Sequence, residues 1–463
     1  MRFATTLLAA GIAAAFSLPA AADTASDNVA LMAEFKRLSA RIEALEKQNR
    51  EMEKALATDR LSEKEPEMAT RLKAVEAQVD AIKGPATKLA EALDGVAVEG
   101  SITAVSQHVG ARGTTSGTDQ SRNNYRGDLN VTLPMGSMGD AEGKLFTHIR
   151  FGQGTGVALK PTYTSGPNTT AFQTQAGADD SFTILAQAWY QLSVPMGGKG
   201  SGERLDFTVG KIDPFVFFDQ NGAADDESAK FMNNAFVHNP LLDSGGDIGA
   251  DRYGFQPGAI VQYFNESEKG AEWGASLGAF ATGNGANFSG SASQPFVIGQ
   301  IETNARIGHL PGSYRAYAWR NGGINGYDSV KRRRAGFGIS VDQKVAEALT
   351  LFGRYGRHTS GKVKFDRALT LGAEIEGTPW RRSADSIGLA FGSLKTSGDY
   401  RNDSLAVDSY QASGSEKQTE LYYRFKLNDA VELSPNFQWI RNPGGDSMVP
   451  TIKVVGLRAK IGF

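Results

Sequence analysis

The 463-residue chain has no cysteine and, beyond its first two dozen positions, no apolar run long enough for a membrane-spanning helix. The missing thiols exclude disulfide staples and cysteine-based zinc centres. The histidines, His108, His148, His238, His309 and His358, are scattered without metal-ligand spacing. No strained nucleophile turn is evident for a reactive serine, and Gly283-Asn284-Gly285 opens no helix that would cradle a phosphate. The net charge is only −2, and no basic stripe is interleaved with aromatics, so nucleic acid is not an expected partner. The sequence thus predicts no catalytic residue, no metal and no cofactor.

Two N-terminal regions carry patterns of their own. Met1-Arg2, the apolar stretch from Phe3 to Leu18, and Pro19-Ala20-Ala21-Ala22 follow the order of a secretory signal peptide over residues 1–22. Residues 28–94 are rich in Ala, Glu, Lys and Leu, and their apolar residues step by four and three. Leu31, Leu38, Leu45 and Met52 fall at heptad position d, with Phe35, Ile42, Asn49 and Leu56 at a. A second seam from Met68 to Leu93 runs out of phase beyond Pro66 and is interrupted at Gly84-Pro85. So narrow a stripe favours an oligomeric periplasmic coiled coil over a helix lying on its own domain. The seam does not choose between two strands and three, although three would suit a trimeric barrel.

From Val96 to Phe463 the period changes to two. In the last segment Val455, Leu457, Ala459, Ile461 and Phe463 alternate with Val454, Gly456, Arg458, Lys460 and Gly462. One face is apolar and the other charged, as in a strand between lipid and a wet lumen. Similar segments lie at 99–108, 122–133, 143–152, 182–194, 204–212, 256–264, 272–281 and 297–308. They continue at 313–320, 334–343, 347–357, 368–377, 384–393, 418–427, 431–441 and 452–463. Connections after even-numbered segments are short, and those after odd-numbered ones mostly longer. That asymmetry marks an all-β transmembrane barrel of about sixteen antiparallel strands in the outer membrane of a Gram-negative-type bacterium, its low mean hydropathy of −0.32 following from the alternation. Trp273, Trp319, Trp380 and Trp439 fall near segment ends, where aromatic girdles sit, while Trp189 does not fit. Lys331-Arg332-Arg333-Arg334 is read as an extracellular loop cluster facing lipid phosphates.

A barrel this wide cannot be filled by its own wall and leaves an aqueous channel. Selectivity then needs something folded inward, and the longest connection, Asp213–Phe255, is the candidate. It carries Asp219, Asp225, Asp226, Glu227, Asn233 and Asn234, and the alternation turns Arg150, Arg354, Arg424, Lys426, Arg458 and Lys460 toward it. An acidic loop facing a basic wall gives a transverse field that favours solutes rich in hydroxyls. Taken singly, each of these charges is more simply a solvated lumen residue.

Three separated stretches resemble the carbohydrate-selective porins of the OprB type. They are Gly210-Lys211-Ile212-Asp213 … Phe218-Asp219-Gln220-Asn221 … Phe231-Met232-Asn233-Asn234-Ala235-Phe236, then Leu371-Gly372-Ala373-Glu374 with Trp380-Arg381-Arg382, and Tyr422-Tyr423-Arg424-Phe425-Lys426-Leu427-Asn428 … Asn442-Pro443-Gly444-Gly445. The resemblance implies a sixteen-stranded pore for energy-independent sugar diffusion, constricted by the Asp213–Phe255 region with inward Arg and Lys. Residues 28–94 resemble the helical region that precedes the barrel in longer, envelope-attached relatives, which leaves contact with peptidoglycan open. The expected partners are small sugars, outer-membrane lipid and further copies of the chain. Two alternatives stand beside the sugar pore: a general or anion-leaning porin without a sugar site, and an envelope-tethering barrel whose pore is incidental.

Overall fold

Alternation becomes strand wherever the sequence keeps period two. The computed structural model describes residues 95–463 except 165, 173–180, 199 and 283–292, together with Ala40, Ala44, Lys47, Gln48, Arg50 and Glu51, which are helical and exposed. The signal-peptide residues and every seam position of the heptads lie outside the described residues. The chain divides into two units between Val98 and Glu99; the second is the barrel.

Its strands are β1 (Ala97–Val109), β2 (Gln120–Met138), β3 (Ala141–Gln153), β4 (Phe182–Met196), β5 (Glu203–Ile212), β6 (Gln256–Asn265), β7 (Trp273–Phe280) and β8 (Phe296–Ile307). They continue as β9 (Leu310–Asn325), β10 (Lys331–Ala346), β11 (Leu349–Ser360), β12 (Phe365–Glu376), β13 (Ser386–Thr396), β14 (Ser415–Lys426), β15 (Val431–Arg441) and β16 (Ile452–Gly462). Each pairs with its sequence neighbours, and β1 closes on β16, with Ser101 opposite Gly462 and Val109 opposite Val454. Closure removes every sheet edge, which a barrel in lipid requires because no water is there to satisfy unpaired backbone groups. Along β16 the lumen side (Ile452, Val454, Gly456, Arg458) is buried, while Lys453, Val455 and Leu457 are exposed outward. The predicted face assignment of that strand therefore holds.

Several strands run further than the alternation indicated. The cluster Lys331–Arg334 is not in a loop: it opens β10, where Arg334 turns into the barrel and is buried. The connections β9–β10 and β11–β12 shrink to residues 326–330 and 361–364, so on the long-loop side two of the eight links are as short as turns. Trp319 also departs from expectation. It faces the lumen and is buried, hydrogen-bonded to a loop carboxylate rather than sitting in a girdle. Trp273 and Trp439 stand at strand ends, and Trp380 lies in the turn Thr378–Trp380.

The core of this protein lies inside the lumen. Phe217, Phe218, Leu241, Leu242 and Ile248 of the β5–β6 connection pack against Phe280, Phe296, Tyr317 and Trp319 of the wall. Close approach needs small wall residues: a Cβ on Gly356 would lie 2.6 Å from the Asn239 side chain.

Candidate functional site

The β5–β6 connection leaves the wall at Asp213, whose carboxylate accepts from the Phe215 amide at 3.0 Å and caps the short turn Pro214–Val216. It then crosses the lumen and is tied down at three places. At the first, the Asp219 carboxylate accepts from Tyr317 Oη (2.6 Å), the Asn239 amide (2.6 Å) and Arg354 Nε (3.1 Å). The Arg354 guanidinium also donates to the carbonyls of Ala224 (2.7 Å) and Phe236 (2.8 Å). Five donors in a rigid fork let one arginine hold several loop carbonyls at once.

The second clamp is Asp247. It accepts from Trp319 Nε1 (2.7 Å) and Arg334 (3.0 Å) and pairs with His358 Nε2 at 2.5 Å, with no exposure of the carboxylate. The third lies across the lumen, where Glu420 of β14 accepts from the amides of Met232 (2.6 Å) and Asn233 (3.0 Å). There Arg458 of β16 donates to the carbonyls of Glu227 (2.9 Å) and Lys230 (2.7 Å). Between the clamps runs the short helix α1 (Asn234–Val237), whose N-cap Asn233 accepts from the Ala235 amide.

A second inward connection, between β3 and β4, was not anticipated from the sequence. Gln107 of β1 and Gln438 of β15 both donate to the Pro167 carbonyl, at 3.0 and 2.7 Å. Thr169 Oγ1 donates to the Met232 carbonyl at 2.8 Å, so the two connections meet. Its described part has almost no charge, which is why charge patterning passed over it.

What stays open is a cavity of about 1420 Å³ on the β2–β4 side. Its wall carries Arg126, His148 and Arg150, and Asp128 ties them together, accepting from Arg126 Nε and Arg150 Nε, each at 2.7 Å, and pairing with His148 Nε2 at 2.8 Å. Arg126 reaches across to Glu227 of the loop at 2.6 Å. On the loop side the Phe215 and His238 rings stack, with centroids 3.7 Å apart and planes 3° from parallel. His238 lies 3.2 Å from Asp243 and 3.8 Å from Asp225. Asp225 borders this cavity and also a smaller one, of about 500 Å³, lined by Arg204, Glu302 and Arg315.

Burial pushes the Asp225 carboxyl up to about 7, although Arg354 and His238 are each 3.8 Å away; their charges do not offset desolvation. His238 goes the other way. Burial alone would lower it, but the hydrogen bond and charge of Asp243, with Asp225 and Asp213 nearby, raise it to about 9.

The predicted residues thus separate by environment. Asp225, Glu227 and Arg150 border the open cavity. Asp226, Arg424, Lys426 and Lys460 line another cavity, of about 640 Å³, beside the turn that joins β14 to β15. Asp219, Asn233, Asn234, Arg354 and Arg458 are buried in the clamps or beside them. Arg126, Asp128, His148 and Phe215, central to the neck, were not singled out beforehand. The spacing of Arg126 and Asp128, both on the lumen face of one strand, was the signal available for the first two. The pentapeptide Gly274–Gly278 has the spelling G-x-S-x-G but lies within β7, and Ser276 accepts from Gln262 at 3.0 Å, so no nucleophile turn exists there.

A closed sixteen-stranded barrel with a long connection folded inward to narrow a polar passage is the build of a porin. Residues 136–463 match the family described as carbohydrate-selective porin, OprB family, and the chain belongs to it. Porin B of Pseudomonas aeruginosa is 24% identical over 237 residues, covering 42% of this chain and 52% of that one, so the chain spans about half the length of this curated relative. The high-pH structure of Pseudomonas putida OprB superposes with a TM-score of 0.66 at 17% identity, over 81% of this chain and 96% of that one, and shows the shared fold. Membership implies the outer membrane of a Gram-negative bacterium.

Proposed function

We propose that the protein lets small sugars diffuse across the outer membrane through the neck beside β2–β4. The observation that carries this is the pairing of an aromatic face with a hydrogen-bonding wall. The stacked Phe215–His238 pair lies on the cavity lining beside Asp225 and Asp243, and Arg126, His148 and Arg150 stand on the strand side, held by Asp128. A pyranose has apolar C–H faces and a rim of hydroxyls, so it matches both. Passage through such an aqueous opening follows the solute's concentration gradient.

An anion-leaning porin is the second reading, and the neck speaks against it: both wall arginines are already matched by Asp128, and Arg126 also by Glu227. We also propose that residues 1–22 are an export signal and that 28–94 form a periplasmic coiled coil joining copies, three in number. In a planar bilayer, millimolar glucose or maltose should reduce single-channel current reversibly. Strong anion selectivity with no block by any saccharide tested would overturn the sugar reading.

A further inference from the structure

The outer wall is apolar along its middle, where Leu371, Phe391, Phe437 and Leu457 are exposed. Beyond that band, toward the end that carries the long connections, six consecutive strands from β11 to β16 each turn one cation outward. These are Arg357, Arg367, Lys395, Lys417, Arg441 and Lys453. Arg357 is flanked by lumen-side Gly356 and His358, Lys417 by Glu416 and Gln418, and Lys453 by Ile452 and Val454, all buried. At the matching height on β1 and β2 the outward positions hold His108 and Ser121 instead.

Register sets these cations against one another. Arg357 lies directly opposite Arg367, Arg367 directly opposite Lys395, and Lys417 directly opposite Arg441. Lys453 opposes Trp439, one outward step from Arg441. Like charges facing each other across antiparallel strands destabilise the sheet. Among the described residues, the one acid in salt-bridge reach of any of the six is Asp366, 3.6 Å from Arg367. The Arg367 Nε is buried without a hydrogen bond. The lumen arginines differ in this respect: Arg334 and Arg354 are each matched by a loop carboxylate.

We propose that this belt is a docking surface for the phosphate groups of phosphorylated glycolipid in the outer leaflet. Multivalent anions placed between facing cations convert cross-strand repulsion into charge-assisted hydrogen bonds. The apolar band immediately below selects the source: acyl chains cover that band, which puts a glycolipid's phosphates at belt height. A soluble phosphate gains nothing from the band. The proposal does not depend on which solute uses the pore, because all six side chains lie outside it.

Native mass spectrometry of the full chain in detergent tests this, with lipid A bearing both phosphates against the same lipid dephosphorylated. The bisphosphorylated form should bind at least tenfold more tightly, and added salt should weaken it. Each Lys or Arg replaced by Gln in the series Arg357→Gln, Lys395→Gln, Lys417→Gln, Arg441→Gln should cost about fivefold in affinity. Equal binding of the two lipids by the wild-type protein would overturn the proposal even where a variant fails to fold. So would displacement of the lipid by equimolar inorganic phosphate, or an unchanged affinity in a folded quadruple variant.

Discussion

The two sides of the lumen use the same residue types for opposite ends. On the side of β9–β11, Asp219 and Asp247 are fully buried and saturated with donors from Arg354, Tyr317, Trp319, Arg334 and His358. On the side of β2–β4, Asp128 and Glu227 meet Arg126 and Arg150 at the same short distances, yet their side chains keep 13% and 16% exposure, and Glu227 and both arginines line the open cavity. A carboxylate in the first setting fixes the loop to the wall. In the second it is available to whatever passes. What separates anchor from lining is access of water, since removing one partner of a buried pair leaves an uncompensated charge, whereas a wet pair can exchange its partner for solvent or solute.

The largest effect should come from the dry side. Asp247→Leu leaves His358, Arg334 and Trp319 facing an apolar side chain and should destabilise the barrel by about 3–5 kcal/mol. Urea unfolding in detergent would measure it. Loss of the clamp should also raise single-channel conductance, because the loop is released at one end. A variant with wild-type stability and conductance would make Asp247 a lining residue and erase the distinction.

Gly356→Ala probes the same side without touching charge. Its added methyl would meet the Asn239 side chain at 2.6 Å, and overpacking of this sort costs about 1–3 kcal/mol. On the wet side the expected outcome shifts from stability to transport. Glu227→Gln keeps a hydrogen-bond acceptor for Arg126 but removes a charge, so the unfolding midpoint should move far less than in Asp247→Leu. Saccharide block should weaken by about tenfold, the equivalent of one charge-assisted hydrogen bond. If Glu227→Gln unfolds the protein as readily as Asp247→Leu does, the neck is a clamp as well.

How far this division was legible in the sequence depends on range. Period-two patterning is local, so β16, β14 and β5 could be placed with their correct faces from a dozen residues each. The inward loop was legible from its length, and Asp225 and Glu227 from its acidity. The split into anchors and lining was not, because it depends on pairings such as Asp219 with Arg354, more than a hundred residues apart. Nothing local separates Asp219 from Asp225. Trp319 was misplaced for a related reason: proximity to a strand end suggests a girdle only when the outward face is known, and in β9 that tryptophan points inward to Asp247. The β3–β4 connection escaped because it engages the wall through amides and carbonyls, as at Pro167, which leave no signature in charge or periodicity.

The smallest expected effect concerns pH and sharpens the comparison within the neck itself. Asp225 titrates near 7 because burial raises it, and His238 stays protonated up to about 9 because Asp243 and Asp225 hold it there. Below 7 the Asp225 carboxyl is neutral while His238 is cationic, so this part of the loop is at its least negative. Between 7 and 9 Asp225 is charged and His238 still protonated. Above 9 His238 loses its proton and the loop face becomes most negative. Cation preference, read from reversal potentials in a salt gradient, should therefore rise in two modest steps as pH increases through 7 and then 9. Asp225→Asn should abolish the lower step, and by removing a stabilising charge should move the upper one to lower pH. Asp247 offers the control, because its carboxylate is lowered rather than raised: burial is outweighed by His358 and Arg334, and it stays ionised across this range. A selectivity that is flat from pH 6 to 10 would mean that ions bypass the Phe215–His238 face altogether.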